Sequence, residues 1–136
     1  MKDDNEFLQY FRYFRDEDVS TDFAWWYCLA DGRVYETLDV FNNFGYSTKE
    51  EIHASNSFVE FDRVDVIELK RIFLLQEIGL REYKAWEFIP DNEFDRKFNI
   101  YIDINHLMRE WYEFEKLSLH SAFIRWQSTN GILLKC

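Results

Sequence analysis

The sequence predicts an α+β domain, a mostly antiparallel sheet of three to five strands with helices packed on one face. Three observations carry this expectation. Two aromatic and β-branched stretches, residues 23–30 and 34–40, flank the turn pair Asp31-Gly32, which is the strongest short-range hairpin signal. Capping boxes recur, each followed by apolar residues at a spacing of three or four. Finally, Phe98, Ile100, Ile102 and Ile104 alternate with Asn99, Tyr101, Asp103 and Asn105, the pattern of a half-buried strand.

Taken in order, Asp3 and Glu6 form a capping box, and Phe7, Tyr10, Phe11 and Phe14 then recur on one helical face, so a first helix is expected to end near Arg15. Ser20, Thr21 and Asp22 favour a turn. A two-residue hairpin loop would pair 29 with 34, 27 with 36, 25 with 38 and 23 with 40. Phe23, Trp25, Tyr27, Leu29, Val34, Leu38 and Val40 would then share a core face, with Trp26, Cys28, Tyr35 and Asp39 opposite. That second face is either solvated or covered by a helix. Ser47 with Glu50 opens a short helix through about Ala54, residues 58–64 read as a third strand, and Asp65 with Glu68 caps a helix from Val66 to Ile78 that Gly79 is placed to end. Residues 80–89 fit neither period, and Pro90 closes them. After the alternating strand, Asn105 is expected to cap a final helix with Leu107, Trp111, Phe114, Leu117, Ser121 and Ile124 on one stripe, stopped by Asn130-Gly131.

Composition bounds the function. With 136 residues, 47% of them hydrophobic and 20% aromatic, one globular domain over 1–136 is expected and disorder is excluded. The longest apolar run, residues 23–30, is far short of the roughly 20 residues a membrane helix needs. The N-terminal residues lack the apolar stretch of a secretory signal, so the cytoplasm is the expected compartment. Cys28 and Cys136 are then two free thiols. Charge is the most informative feature: residues 1–68 hold 16 Asp and Glu against 6 Lys and Arg, whereas residues 69–136 hold 10 of each. A net charge of −10 disfavours direct binding to a phosphate backbone.

No catalytic or metal-binding motif is present. His53, His106 and His120 lack metal-site spacing, and no cofactor is implied. Asp91, Glu93 and Asp95 imitate a calcium loop, but Arg96 stands where the turn needs Gly and Ile102 where a bidentate Glu belongs. An enzyme would have to be built around Asp103, Asn105 and His106, whose plainer role is a helix cap. The stronger expectation is a non-catalytic protein that docks a basic protein partner through Asp16, Glu17, Asp18, Asp22, Asp39, Glu60 and Asp62, with Trp26 and Tyr35 as aromatic anchors. A structural subunit that buries its aromatics in a homo-oligomer is a further alternative.

Trp111-Tyr112-Glu113-Phe114-Glu115, followed by Ala122, Trp126 and Asn130-Gly131-Ile132, resembles the C-terminal signature of a family of small acidic bacterial proteins of unassigned function. Residues 27–34, with their Asp31-Gly32 turn, are similar to that family's early strand-turn-strand. Two features depart from it: the family's turn usually reads Thr-Gly-Glu, and its glycine-containing segment before the last helix is replaced here by residues 84–88, Lys-Ala-Trp-Glu-Phe. The resemblance implies shared aromatic packing and no site residue. In size and acidity the chain is also similar to bacterial immunity proteins that neutralise toxic nucleases, which implies a toxin domain as partner.

Overall fold

The computed structural model describes residues 10, 12–16 and 24–132, and all structural statements concern these. The chain is α+β. Its elements are β1 (Arg15–Asp16), β2 (Trp25–Cys28), β3 (Val34–Glu36), α1 (Thr37–Phe44), α2 (Lys49–Ala54), β4 (Phe58–Glu60), β5 (Val64–Asp65), α3 (Val66–Tyr83), α4 (Asp91–Ile104) and α5 (Met108–Asn130). Strands β3-β2-β4 form a three-stranded antiparallel sheet, and β1 pairs with β5 in parallel. Residues 10 and 12–14 are helical, in line with the expected first helix, while its capping box at Asp3 and Glu6 lies outside the described residues.

The hairpin exists, but its register differs from the expected one. Trp25 opposes Glu36, Trp26 opposes Tyr35 and Tyr27 opposes Val34. The loop spans residues 29–32, closed by the Cys28 N–H donating to the Arg33 carbonyl (2.8 Å) and the Gly32 N–H donating to the Cys28 carbonyl (2.9 Å). Gly32 takes φ 70°, which a glycine adopts without strain, and Asp31 Oδ1 accepts from the Arg33 N–H (2.8 Å). Asp31 thus bonds forward into the loop rather than standing at its first central position. The second strand also ends early, because Thr37 turns the chain into α1 instead of extending to Val40.

Both faces of the sheet are covered. Trp25, Tyr27, Val34 and Val59 pack with Phe14, Phe61, Leu119, Phe123 and Trp126 under α5. Ala24, Trp26, Cys28 and Phe58 pack with Val40 of α1 and Ile52 of α2. A third cluster, built from Phe73, Leu74, Phe94, Phe98, Ile102 and Trp111, joins α3, α4 and the start of α5. The long helix α5 therefore runs from the helical cluster to the sheet.

Residues 98–104, expected as a strand, form the second half of helix α4. Phe94, Phe98 and Ile102 are the buried residues of α4, one turn apart, whereas Ile100 and Ile104 are exposed. Alternation over four isoleucine and phenylalanine positions is a subset of what a helix with two partly apolar faces also produces, and Phe94 decides between them. Asn105 does not cap α5. It ends α4, its side-chain amide donating to the Tyr101 carbonyl (2.9 Å), and Leu107 occupies the position before α5. The stripe on α5 is correspondingly rotated to Trp111, Glu115, Leu119, Ala122, Phe123 and Trp126, leaving Leu117 and Ile124 exposed.

The caps elsewhere follow the expected chemistry with small shifts. Asp65 Oδ1 accepts from the Ile67 and Glu68 N–H groups (3.0 and 3.2 Å). At α2 the capping box lies one residue later than Ser47 and Glu50: Thr48 Oγ1 accepts from the Glu51 N–H (3.1 Å), and the Glu51 carboxylate reaches back to the Ser47 N–H (3.0 Å). Gly79, at φ 84°, interrupts α3 with one non-helical residue before the chain resumes to Tyr83. The ambiguous stretch 80–89 completes that helix and then turns. Arg71 holds those turns by donating to the Trp86 and Ile89 carbonyls and to Asp91.

Three polar residues are buried, and each has a partner. Thr37 bridges Trp26 and Ala24, Glu115 accepts from Arg15 Nε (2.8 Å), and Lys70 pairs with Asp95 and Asn99 beside the rings of Phe98 and Trp111. Among the described residues, no helix is long and apolar enough to cross a membrane.

Two substitutions test this layout. Phe98→Ala is expected to cost about 3–5 kcal/mol in urea unfolding, and Ile100→Ala less than about 0.5 kcal/mol. Similar losses at both positions would restore the strand. His106 holds φ 55° in the α4–α5 corner, so His106→Gly is expected to raise the melting temperature through relief of about 1 kcal/mol of backbone strain, read by calorimetry.

Candidate functional site: the acidic sheet and the groove along its edge

The charge asymmetry of the chain becomes a spatial one. Residues 24–68 build the sheet, its two covering helices and the first residues of α3 and hold 9 Asp and Glu against 3 Lys and Arg, while residues 69–136, with 10 of each, build the rest of α3 and all of α4 and α5. The carboxylates in this acidic part have different tasks. Asp31 shapes the hairpin loop, Glu51 and Asp65 cap helices, and Glu60 is held by Lys49 Nζ and His53 Nε2, both at 3.1 Å. Asp39, Glu50 and Asp62 are exposed.

The residues expected to dock a partner are accordingly dispersed. Glu17, Asp18 and Asp22 lie outside the described residues, and of Asp16 only the backbone, in β1, is described. Asp39 is on α1, Glu60 on β4 and Asp62 just beyond it. Trp26 is not a surface anchor. It is fully buried beneath α1 and α2, its indole N–H donating to Thr37 Oγ1 (3.0 Å) and its ring 4.8 Å from that of His53. A sheet covered on both faces by helices leaves no outward position on its central strand.

Tyr35, paired with Trp26 across the sheet, is half-buried, and its hydroxyl donates to Asp31 Oδ2 (2.6 Å). The Tyr35 hydrogen bond, followed by that of the Arg33 N–H, holds the Asp31 carboxyl below the usual carboxylate range. Reciprocally, hydrogen bonding to Asp31 and then desolvation push the Tyr35 phenol above the ordinary tyrosine value. Tyr35 is thereby a loop brace with one side still open.

The alternative cluster at Asp103, Asn105 and His106 is exposed at the α4–α5 corner, with Asn105 committed to ending a helix. Among the described residues, no three His, Cys, Asp or Glu side chains are grouped to hold a metal ion.

An open groove of about 650 Å³ runs beside β4, lined by Leu29, His53, Asn56, Glu60, Asp62 and Arg63 on one side and by Thr129 and Asn130 of α5 on the other. Glu60 and Asp62 are the two expected site residues that the fold brings to one feature. His53, Asn56, Thr129 and Asn130 join them from parts of the chain that no sequence motif connects. Asn56, at φ 57°, closes the turn between α2 and β4 and was detectable only as one of the residue types that tolerate this conformation. Comparison of the chain with protein-family models, curated proteins and solved structures gives no match.

Two outcomes are expected from this description. Trp26→Ala should destabilise the protein by about 3–5 kcal/mol, measured by denaturant unfolding, as for any large buried aromatic. The Asp31–Tyr35 bond should stabilise the fold between the two titrations. Because the Asp31 pKa is lowered on folding, its contribution is present above the ordinary carboxylate value near 4 and is lost as pH falls through the folded value. Because the Tyr35 pKa is raised, its contribution is present below about 10 and is lost as pH rises through the folded value. NMR titration of the Tyr35 ring should return to an ordinary midpoint in Asp31→Ala. An unchanged midpoint would remove the bond from the argument.

Proposed function

We propose that this protein is a non-catalytic binder that masks a basic protein partner in the cytoplasm, and that the partner is a nuclease toxin domain whose nucleic-acid site it covers. The supporting observation is the segregation of net charge with architecture: the sheet and its covering helices carry an excess of carboxylates, whereas at the helical end acidic and basic residues balance. A carboxylate-bearing surface offers a nuclease's cationic site the same charge as a phosphate backbone. The likeness to immunity proteins supports the same class of partner. With Trp26 in the core, the docking residues are the exposed carboxylates Asp39, Glu50 and Asp62.

Exposed charges at a rim act on encounter more than on lifetime. Biolayer interferometry against a panel of basic nuclease domains should find at least one that associates tightly and loses activity. Its on-rate should fall roughly tenfold or more between about 50 and 500 mM salt. The combined variant Asp39→Asn, Glu50→Gln, Asp62→Asn should slow association about tenfold and stay folded with only a small fall in melting temperature, since Asp39 and Glu50 stand in the first turns of α1 and α2. Either an on-rate indifferent to salt or a variant that binds as fast as the parent overturns the proposal.

A further inference from the structure

The groove beside β4 is also the open edge of the sheet. In the order β3-β2-β4, β4 has one neighbour among the described residues. The Phe61 N–H donates to the Trp25 carbonyl (3.0 Å) and the Leu29 N–H to the Ser57 carbonyl (3.0 Å), so residues 57, 59 and 61 face β2 with their backbone groups. The backbone groups of Phe58 and Glu60 consequently point away from the sheet. One of them is used: Trp126 Nε1 donates to the Glu60 carbonyl (2.8 Å). The Phe58 N–H and carbonyl and the Glu60 N–H face the groove without a hydrogen-bond partner among the described residues.

The charge around this edge is asymmetric. Asp62 lines it as an exposed carboxylate, Glu60 lines it already held by Lys49 and His53, and Thr129 and Asn130 are the last two residues of the 23-residue helix α5. That end carries the negative pole of the helix, and its last turn holds no basic residue. Arg63 and His53 are the cationic or ionisable groups on the lining, and His53 is already engaged with Glu60.

We infer that the edge of β4 takes up an extended, Lys- or Arg-bearing segment of the basic partner, which adds a strand to the sheet while its cationic side chains reach Asp62 and the C-terminal end of α5. The inference rests on the proposal of a basic partner and specifies how that partner is held. Backbone pairing at Phe58 and Glu60 supplies affinity without demanding a particular sequence, and the flanking negative groups select for cationic side chains at alternate positions. It also gives a use to the part of the edge that Trp126 leaves unpaired, since an unpaired edge is otherwise a liability.

The probe is a synthetic ten-residue peptide of alternating Arg and Val, labelled and followed by fluorescence anisotropy, with its alternating Glu and Val counterpart as control. The Arg peptide should bind with a dissociation constant on the order of 10–100 μM and the Glu peptide at least tenfold more weakly. Hydrogen exchange should slow at the Phe58 and Glu60 amides in the complex. Thr129→Arg, which places the protein's own guanidinium in the groove at an exposed helix end where a cation is tolerated, should weaken peptide binding at least tenfold with the melting temperature unchanged or higher. The Arg peptide failing to bind, amides that stay unprotected, or Thr129→Arg binding as the parent does each overturn the edge assignment. A nuclease domain that still associates with salt-dependent kinetics would in those cases leave the acidic-surface reading standing, and loss of both would remove the two together.

Discussion

The contact on which the rest of this structure depends is that between Trp126 and the strand it lies across. Its indole stacks on Phe61 with ring centroids 4.3 Å apart and planes at 14°, while its N–H donates to the Glu60 carbonyl. One side chain thus supplies both apolar burial and the satisfaction of an outward-facing backbone carbonyl at a sheet edge. Phe14 and Tyr27 meet the same ring edge-on, which brings the residues before β1 and the central strand to the same point. Because α5 also carries Trp111 into the cluster beneath α3 and α4, the helix transmits this anchorage from the sheet to the helical end.

The same contact creates the groove. Trp126 occupies the outward carbonyl of Glu60 on the β4 edge, and Thr129 and Asn130 in the following turn of α5 line the groove together with Glu60 and Asp62. Gly131, at φ 64°, then ends the helix, its N–H and that of Ile132 returning to the Gln127 and Ser128 carbonyls. Structure and proposed function meet at this point: a residue required for packing leaves, as its geometric consequence, an edge whose polar groups and surrounding charge suit a cationic strand.

The acidic half of the chain divides along similar lines. Carboxylates that cap helices, brace the hairpin or pair with Lys49 and His53 are committed to the fold, and their removal would be read as lost stability. Asp39, Glu50 and Asp62 are surface charge, and their removal would be read as changed kinetics of association. This partition assigns distinct measurable effects to residues that composition alone treats as equivalent.

Local chemistry read from the sequence determined the hairpin's existence, the cap at Asp65, the stop at Gly131 and the α+β class, because each rests on neighbours a few residues apart. Register and coverage were not so determined. Whether the loop spans two residues or four depends on how Asp31 and Gly32 share the turn, and a two-sided sheet looks the same in sequence as a one-sided sheet whose outer face happens to be aromatic. Phe98 to Ile104 satisfied both a strand period and a helix with two partly apolar faces, and the burial of Phe98 and Ile102, with Phe98 against Phe73 and Trp111, chose the helix. Trp26 illustrates the limit most plainly: its neighbours in the chain are apolar on either reading, and only the arrival of α1 and α2, with Thr37 as its hydrogen-bond partner, puts it in the core. The groove follows the same logic, since residues 53–63 and 129–130 become one surface solely through the stacking of Trp126 on Phe61, a contact between positions 65 residues apart in sequence.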